Sequence, residues 1–224
     1  MSDAPAASAA PLASADLAPA EFASLLTARL CHDFISPASA VVSGLDLLDD
    51  PSAQDMREDA MNLIASSARK LVALLAFARV AFGASASAET FDPRELEKLT
   101  RGVFEHVRPE LEWSVQLQSA SKPVARALLN IAQIGGGALP SGGLARVAAY
   151  ERGGEVLMGV EATGMRARLR PEIAAGLDGK GLDGGLAGQW VQGFYLHQVL
   201  KAAGGRLEHL ATEGKVVVRA RIPM

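Results

Sequence analysis

The sequence predicts an α+β fold, in which an N-terminal helical hairpin precedes an α/β sandwich. Two observations predict it. Between residues 19 and 83, apolar residues recur at the three- and four-residue spacings of amphipathic helices. Beyond residue 89, short strand-like segments alternate with helical ones and are separated by glycine-rich turns. A chain of 224 residues, 49% of them hydrophobic, has room for one large or two small domains with real cores.

The hairpin is predicted to carry an apolar seam on each of its two helices. On the second helix, apolar and small residues follow the alternation of four and three that is typical of helical bundles. A lone hairpin leaves such a seam half exposed, and pairing with a second copy as an antiparallel four-helix bundle would cover it. We therefore expect a homodimer. Its bundle core should include Phe34, Val41, Leu45, Leu63, Leu71 and Leu74.

The second half of the chain has a mixed pattern of helices and strands. Helices are predicted at 94–107, 123–134 and 189–203, and strands at 111–117, 145–150, 155–161, 206–210 and 215–222. Helices collected on one face of a mainly antiparallel sheet form an α/β sandwich. The chain is thus divided into a flexible leader at 1–18, the helical hairpin at 19–84 and the sandwich at 89–224.

Composition excludes several classes of partner. The net charge is −3, with mixed signs and no run of lysine or arginine, which argues against nucleic acid and anionic membranes as partners. No apolar run is long enough to span a membrane, and the N-terminus does not resemble a secretory signal. The single cysteine, Cys31, excludes an intramolecular disulfide and fits a reducing compartment. We therefore expect a cytoplasmic protein.

The run His32-Asp33-Phe34-Ile35-Ser36-Pro37 carries the strongest functional signal. At roughly 100° per residue, His32 lies nearly opposite the apolar face of the first helix, on a stripe of small residues that another protein could reach. Imidazole is a neutral nitrogen nucleophile near pH 7. The alternative for any single surface histidine is a solvated side chain. By contrast, His106, His197 and His209 show no metal-ligand spacing and no comparable acid beside them, so we expect them to be structural or solvated.

These residues resemble a known arrangement. The His-Asp-x-x-x-Pro run, on the first helix of a hairpin, is similar to the phosphoacceptor box of two-component histidine kinases. Residues 130–143 resemble the kinase segment that carries the first nucleotide-binding asparagines. Residues 190–223 resemble the last helix and hairpin of the same ATPase-like domain.

The departures from the kinase pattern concern the nucleotide site. Asn130 matches the first asparagine, but the metal-coordinating second asparagine falls on Ile134. The phosphate-binding lysine or histidine falls on Gly137, and the adenine-binding acid falls on Ala162. An aliphatic side chain cannot ligate Mg²⁺, which requires oxygen donors. We therefore expect a degenerate domain that has lost ATP and holds no cofactor or metal of its own, with the glycine-rich loop at 176–188 as a vestige of the nucleotide lid.

That combination resembles the ChpT-type histidine phosphotransferases of bacterial cell-cycle phosphorelays, on the residues 30–37 and 46–80. The resemblance implies a homodimer that takes a phosphoryl group from the receiver domain of a CckA-type hybrid kinase. Phospho-His32 would then pass the group to receivers of the CtrA and CpdR type. The receiver would supply the Mg²⁺.

Roles for the neighbours of His32 follow from this chemistry. Asp33 would hold the imidazole tautomer or accept the ring proton, unless it is a solubilising acid. Arg29, one turn earlier, could steady the phosphate or pair with receiver acids, or be an ordinary solvated arginine. Ser36 fills a position where kinases with phosphatase activity carry threonine or asparagine. The expected receiver-binding surface comprises Leu25, Ala28, Ser36, Ser39, Val42 and Ser43, with Leu25 exposed and with a core role for Val42 as the alternative.

Two other classes of function compete with the relay. One is an ATP-dependent histidine kinase whose divergent nucleotide site still works. The other is a non-catalytic dimeric adaptor that binds receivers without exchanging phosphate. Labelling from ATP alone would favour the kinase, and a biological effect that survives replacement of His32 by alanine would favour the adaptor.

Overall fold

A computed structural model describes residues 17–83, 89–182 and 185–224 of the chain. Its N-terminal part is a hairpin of two long helices, α1 (Pro19–Asp49) and α2 (Arg57–Ala81), joined by a short 3-10 helix (Pro51–Met56). The predicted hairpin is thereby confirmed. The predicted leader falls almost wholly outside the described residues, and so does the linker at 84–88. The division into domains therefore stays a prediction.

The two helices of the hairpin approach each other closely at a glycine. A methyl group on Gly44 of α1 would lie 2.6 Å from Cγ1 of Ile64 and 3.1 Å from the carbonyl oxygen of Ala60, both on α2. Such contacts leave no space for a side chain at this position. Pro37 lies inside α1 and is buried, and the helix continues beyond it to Asp49.

The second part is built on a five-stranded sheet. Its strands are β2 (Glu110–Gln116), β4 (Leu144–Arg152), β5 (Glu155–Thr163), β6 (Arg206–Thr212) and β7 (Lys215–Pro223). They lie in the order β2-β4-β5-β7-β6, in which β2 and β4 are parallel and every other pair is antiparallel, as predicted for a mainly antiparallel sheet. A separate two-stranded ribbon pairs β1 (Thr90–Phe91) with β3 (Ala120–Ser121).

In the part of the chain that the structure describes, four helices complete the α/β sandwich, which confirms the predicted fold class. They are α3 (Pro93–Phe104), α4 (Lys122–Gly137), α5 (Pro171–Leu177) and α6 (Ala187–Ala202). The prediction that α4 ends at Ile134, before the run of glycines, is wrong. A methyl group on Gly135 would lie 2.4 Å from Val160 of β5, and one on Gly136 would lie 2.9 Å from Phe104 of α3. These glycines belong to the helix and let it contact the sheet and α3 closely.

A cluster of apolar side chains joins the hairpin to the sandwich. Trp190 and Phe194 of α6 stack with ring centroids 4.6 Å apart, and Phe22 of α1 meets Phe194 edge-on at 5.5 Å. Leu25 packs against the same cluster and is half-buried. The prediction of an exposed Leu25 is therefore wrong, because α6 of the same chain covers the N-terminal part of α1.

Farther along the hairpin, apolar side chains stay exposed in the single chain. Within the predicted bundle core, Leu45 and Leu63 are exposed, and the other members are half-buried: Phe34, Val41, Leu71 and Leu74. Five more large apolar residues of α1 and α2 are exposed as well: Ile35, Val42, Met61, Val72 and Leu75. No helix in the described ranges is long and apolar enough to span a bilayer.

Candidate active site

His32 projects from the middle of α1 into solvent. Its side chain is 83% exposed, whereas those of Asp33 and Arg29 are only 21% and 22% exposed. The spacing of the residues explains this difference, since His32 lies on the face of α1 that neither α2 nor α6 covers. The predicted exposure of the histidine is confirmed.

Three side chains form a short chain of polar contacts at this place. Arg29 donates from Nε to Oδ2 of Asp33 at 2.9 Å, a charge-assisted bond between residues four apart on the helix. Oδ1 of Asp33 lies 3.4 Å from Nδ1 of His32, which is long for a hydrogen bond. Arg29 also donates from Nη1 to the backbone oxygen of Gly188 at 3.3 Å. Arg29 is therefore not the freely solvated arginine that one alternative supposed.

A groove of about 280 Å³ opens beside His32. One wall belongs to α1 and the other to the residues at the start of α6. The groove is lined by Leu25, Ala28, Arg29, His32, Leu186, Ala187, Gly188 and Gln189. The four residues of the second wall were missed by the sequence analysis, because no local pattern shows that the end of the glycine-rich loop returns to α1. The only signal was an apolar residue, Leu186, three residues before the helix predicted at 189–203.

The predicted receiver-binding residues occupy two different surfaces. Ala28, Ser36, Ser39 and Ser43 are exposed, and the serines follow His32 at spacings of four, seven and eleven residues, on one face of α1. Val42 is exposed too, and it shares with the exposed Ile35, seven residues earlier, a side of α1 that lies about 60–80° from His32. Leu25 contributes to the groove while packing against the aromatic cluster.

Three of the four positions that the kinase resemblance assigns to nucleotide contacts are filled by packing interactions, and the fourth, Gly137, is exposed. Ile134 and Ala162 are buried in the core. The Asn130 amide is also buried, and it donates to the backbone oxygens of Ala81 at 3.0 Å and Arg126 at 2.8 Å. This asparagine thus binds the C-terminal end of α2. Within the described ranges, no three His, Cys, Asp or Glu side chains are grouped as a metal site would require.

The expectation that His209 is structural or solvated stands, although the sequence did not indicate its partner. His209 of β6 has an acid beside it, since its Nε2 lies 2.8 Å from Oδ1 of Asp178. Hydrogen bonds from Lys180 and from His209 hold the pKa of the Asp178 carboxyl below its usual value, because they favour the charged form. Sequence could not indicate this pair, because 31 residues separate its members.

An exposed histidine with a carboxylate beside it, on a helical hairpin attached to an α/β sandwich, is the arrangement that the resemblance to two-component phosphotransfer proteins predicts. Comparison with known proteins specifies the class. Residues 93–215 match the family model of the histidine phosphotransferase C-terminal domain. The chain belongs to the histidine phosphotransferase family and is a phosphotransferase of the phosphorelay type.

Two relatives cover nearly the whole chain. The protein phosphotransferase ChpT of Brucella abortus (strain 2308) is 33% identical over 201 residues, which are 89% of this chain and 95% of that protein. The solved structure of a bacterial phosphotransferase is 31% identical, with a TM-score of 0.83 over 93% of this chain and 99% of the other. The similarity therefore includes the hairpin as well as the sandwich.

Proposed function

We propose that His32 is the residue that receives the phosphoryl group from one receiver domain and passes it to another. The observation that carries this proposal is the 83% exposure of its ring beside the Asp33 carboxylate. Nδ1 faces Asp33, and Nε2 has no hydrogen-bond partner among the described residues. The second nitrogen is therefore the one free to meet a phosphorus atom.

The transfer needs few groups from this chain. The Nε2 lone pair attacks the phosphorus of a receiver's aspartyl phosphate in line with the leaving oxygen, so that an N–P bond forms. The P–O bond to the receiver aspartate breaks, and its electron pair leaves with the carboxylate. Asp33 stabilises the positive charge that develops on the ring, or accepts the Nδ1 proton. The same steps in reverse, with a second receiver aspartate as the nucleophile, complete the relay.

The partner contributes the remaining groups. Receiver domains bring the acyl phosphate together with the Mg²⁺ that neutralises it, so this chain mainly has to align its imidazole. The small exposed side chains of Ser36, Ser39 and Ser43 leave room for a partner to approach His32 closely. We place the receiver on this face and on the groove beside it. Ala28 and Leu186 would then give apolar contact at one edge, within the modest area of a transient interface.

The proposed donor is the receiver of a CckA-type hybrid kinase, and the proposed acceptors are receivers of the CtrA and CpdR type. Support for these assignments comes from the resemblance of the hairpin residues to the ChpT type. A cytoplasmic location stays a prediction and is supported by the single exposed cysteine, Cys31, which suits a reducing compartment.

ATP takes no part in the proposed reaction. The packing of Ile134 and Ala162 leaves no oxygen donor for a metal–phosphate complex or for adenine at those positions. The backbone N–H of Arg168 donates to the carbonyl oxygen of Ala138 at 2.9 Å, so the segment after β5 is bound to the end of α4. A methyl group on Gly164 of that segment would lie 2.7 Å from the backbone oxygen of Gly142. These contacts support a domain that retains the sandwich without a nucleotide.

We further propose that the protein is a homodimer. The exposed apolar stripe of the hairpin consists of Ile35, Val42, Leu45, Met61, Val72 and Leu75. By helix geometry, its α1 and α2 members fall on one side of the hairpin and His32 falls on another side. Pairing two stripes as a four-helix bundle removes this surface from water and leaves both histidines accessible. Val42 then belongs to the bundle, which is one of the two alternatives left open by its sequence position.

Phosphotransfer from a charged receiver tests the central proposal. A receiver domain phosphorylated with labelled acetyl phosphate is mixed with the wild-type chain, with His32→Ala or with His106→Ala as the matched control. We expect the wild type and His106→Ala to take the label and His32→Ala to take none. Label on His32→Ala would refute the proposal, and so would a wild type that binds the charged receiver without taking its phosphate.

A further inference from the structure

Arg29 forms hydrogen bonds both with Asp33, the neighbour of His32, and with Gly188 of the sandwich. We propose that Arg29 is a positioning residue that orients the Asp33 carboxylate towards His32, and that the first turn of α6 holds Arg29 in place. The inference rests on the proposed role of His32 and gives the sandwich a part in phosphotransfer. It also replaces the expectation that Arg29 contacts the phosphate.

The contact between His32 and Asp33 needs an explanation, because adjacent residues on a helix do not face each other. Their side chains leave the helix axis about 100° apart. Asp33 has two carboxylate oxygens, and the two serve different partners. Oδ2 accepts from Arg29 at 2.9 Å, while Oδ1 lies 3.4 Å from Nδ1 of His32. The bond from Arg29 fixes the plane of the carboxylate, so that its second oxygen remains directed at the imidazole.

Arg29 is itself held from the other side. Its Nη1 donates to the backbone oxygen of Gly188 at 3.3 Å, in the first turn of α6. A guanidinium group is planar and presents its donors in a fixed fork, so two acceptors determine its orientation. A methyl group on Gly188 would lie 3.5 Å from Cδ of Arg29, which is ordinary contact, and a larger side chain there would displace the arginine. The aromatic contact of Phe22 with Phe194 holds the two helices together two turns away.

This arrangement predicts that loss of Arg29 impairs the chemical step more than receiver binding. The test uses the full chain with Arg29→Met, which removes both donors, and Arg101→Met as the matched control. Arg101 also pairs with an acid four residues away, Glu97, on α3. Single-turnover transfer is measured against receiver concentration. We expect Arg29→Met to lower the saturating rate about 10- to 100-fold, as small misplacements of catalytic groups do, with little change in the half-saturating concentration.

A double-mutant cycle separates positioning from direct contact with phosphate. If Arg29 acts only through Asp33, then Arg29→Met has no further effect on the rate in an Asp33→Ala background. A further tenfold loss in that background would overturn the proposal, since Arg29 would then act on the phosphoryl group itself. Gly188→Val should slow transfer more than Gly188→Ala. Equal transfer rates for these two variants would show that α6 does not hold Arg29 in place.

An NMR spectrum of the His32 imidazole tests the positioning role without any phosphotransfer. The ¹⁵N signals of the His32 imidazole, recorded without any partner, report which nitrogen carries the proton. We expect Arg29→Met to shift the wild-type tautomer ratio in the direction that Asp33→Ala shifts it, and Arg101→Met to leave it unchanged. An unchanged spectrum in Arg29→Met, in a chain whose wild type takes the label, refutes the positioning role. A wild type that takes no label refutes the relay instead.

Discussion

Replacing Val72 with glutamate should dissociate the proposed homodimer. Val72 is 66% exposed in the single chain and lies in the exposed apolar stripe. Burying a whole valine side chain contributes about 1.5–3 kcal/mol, so two-thirds of it contributes about 1–2 kcal/mol. A twofold interface contains the residue twice, which brings the loss to about 2–4 kcal/mol before the cost of burying two carboxylates. At about 1.4 kcal/mol for each factor of ten, the dimer dissociation constant should rise at least about 30-fold.

Sedimentation equilibrium over a range of concentrations measures this change. The matched control is Val107→Glu, because Val107 is also an exposed valine, at 48%, but belongs to the sandwich. The wild type and Val107→Glu should dimerise alike, and Val72→Glu should become monomeric while keeping its helical circular dichroism. The reasoning is refuted if Val72→Glu dimerises as tightly as the wild type, or if Val107→Glu weakens the dimer as much.

Three further predictions concern other parts of the molecule. Leu186→Asp should raise the receiver concentration that half-saturates transfer and leave the saturating rate nearly unchanged, because this exposed residue lines the groove wall opposite α1 and has no proposed part in the chemical step. Gly44→Leu should destabilise the fold by about 1–3 kcal/mol in urea denaturation, since it overpacks the contact between α1 and α2. The pKa of Asp178, measured by NMR, should lie below 3.8 because Lys180 and His209 donate to its carboxylate, and His209→Ala should raise it. A lowered pKa stabilises the fold above pH 3.8, and this stabilisation disappears as the pH falls through the lowered value.

Each of these predictions has a control or a contradicting result. Leu210→Asp changes a similarly exposed leucine of β6 and should not alter the half-saturating receiver concentration. An equal effect of Leu186→Asp and Leu210→Asp would exclude the groove as part of the receiver-binding surface. A methyl group on Gly137 would have no neighbour within 4 Å, so Gly137→Leu should change stability by less than about 0.5 kcal/mol. If the two glycine variants destabilise equally, the close approach of the helices is not the cause. An Asp178 pKa that His209→Ala does not move would mean that this hydrogen bond is absent in solution.

The sequence indicated those features that depend on short-range spacing. Helical periodicity located both helices of the hairpin, and the same periodicity placed His32 on the uncovered face of α1. The sequence has Ile134 and Ala162 at positions where the kinase pattern has an asparagine and an acid, and the structure shows both side chains in the core. The helices and the exposure of His32 follow from local spacing, whereas the loss of the nucleotide-binding residues follows from the resemblance to histidine kinases.

Features that depend on contacts between distant segments could not be predicted. Leu25 was expected on the surface because nothing near it in sequence indicates that α6 packs there. The glycines after Ile134 were interpreted as a helix end, since glycine disfavours helices, but Val160 and Phe104 lie too close for larger residues. The contact between Arg29 and Gly188 spans 159 residues. Each of these outcomes is decided by packing that forms only in the folded chain.

The most direct test compares two phosphate donors on the same protein. The full chain is incubated with labelled ATP and Mg²⁺ in one reaction and with a labelled phospho-receiver in the other, and the phosphorylated residue is located by mass spectrometry. A phosphoryl group on His32 from the receiver, with none from ATP, is the result that we predict. Label from ATP in the absence of any other protein, or label from the receiver on a different residue, would contradict the account.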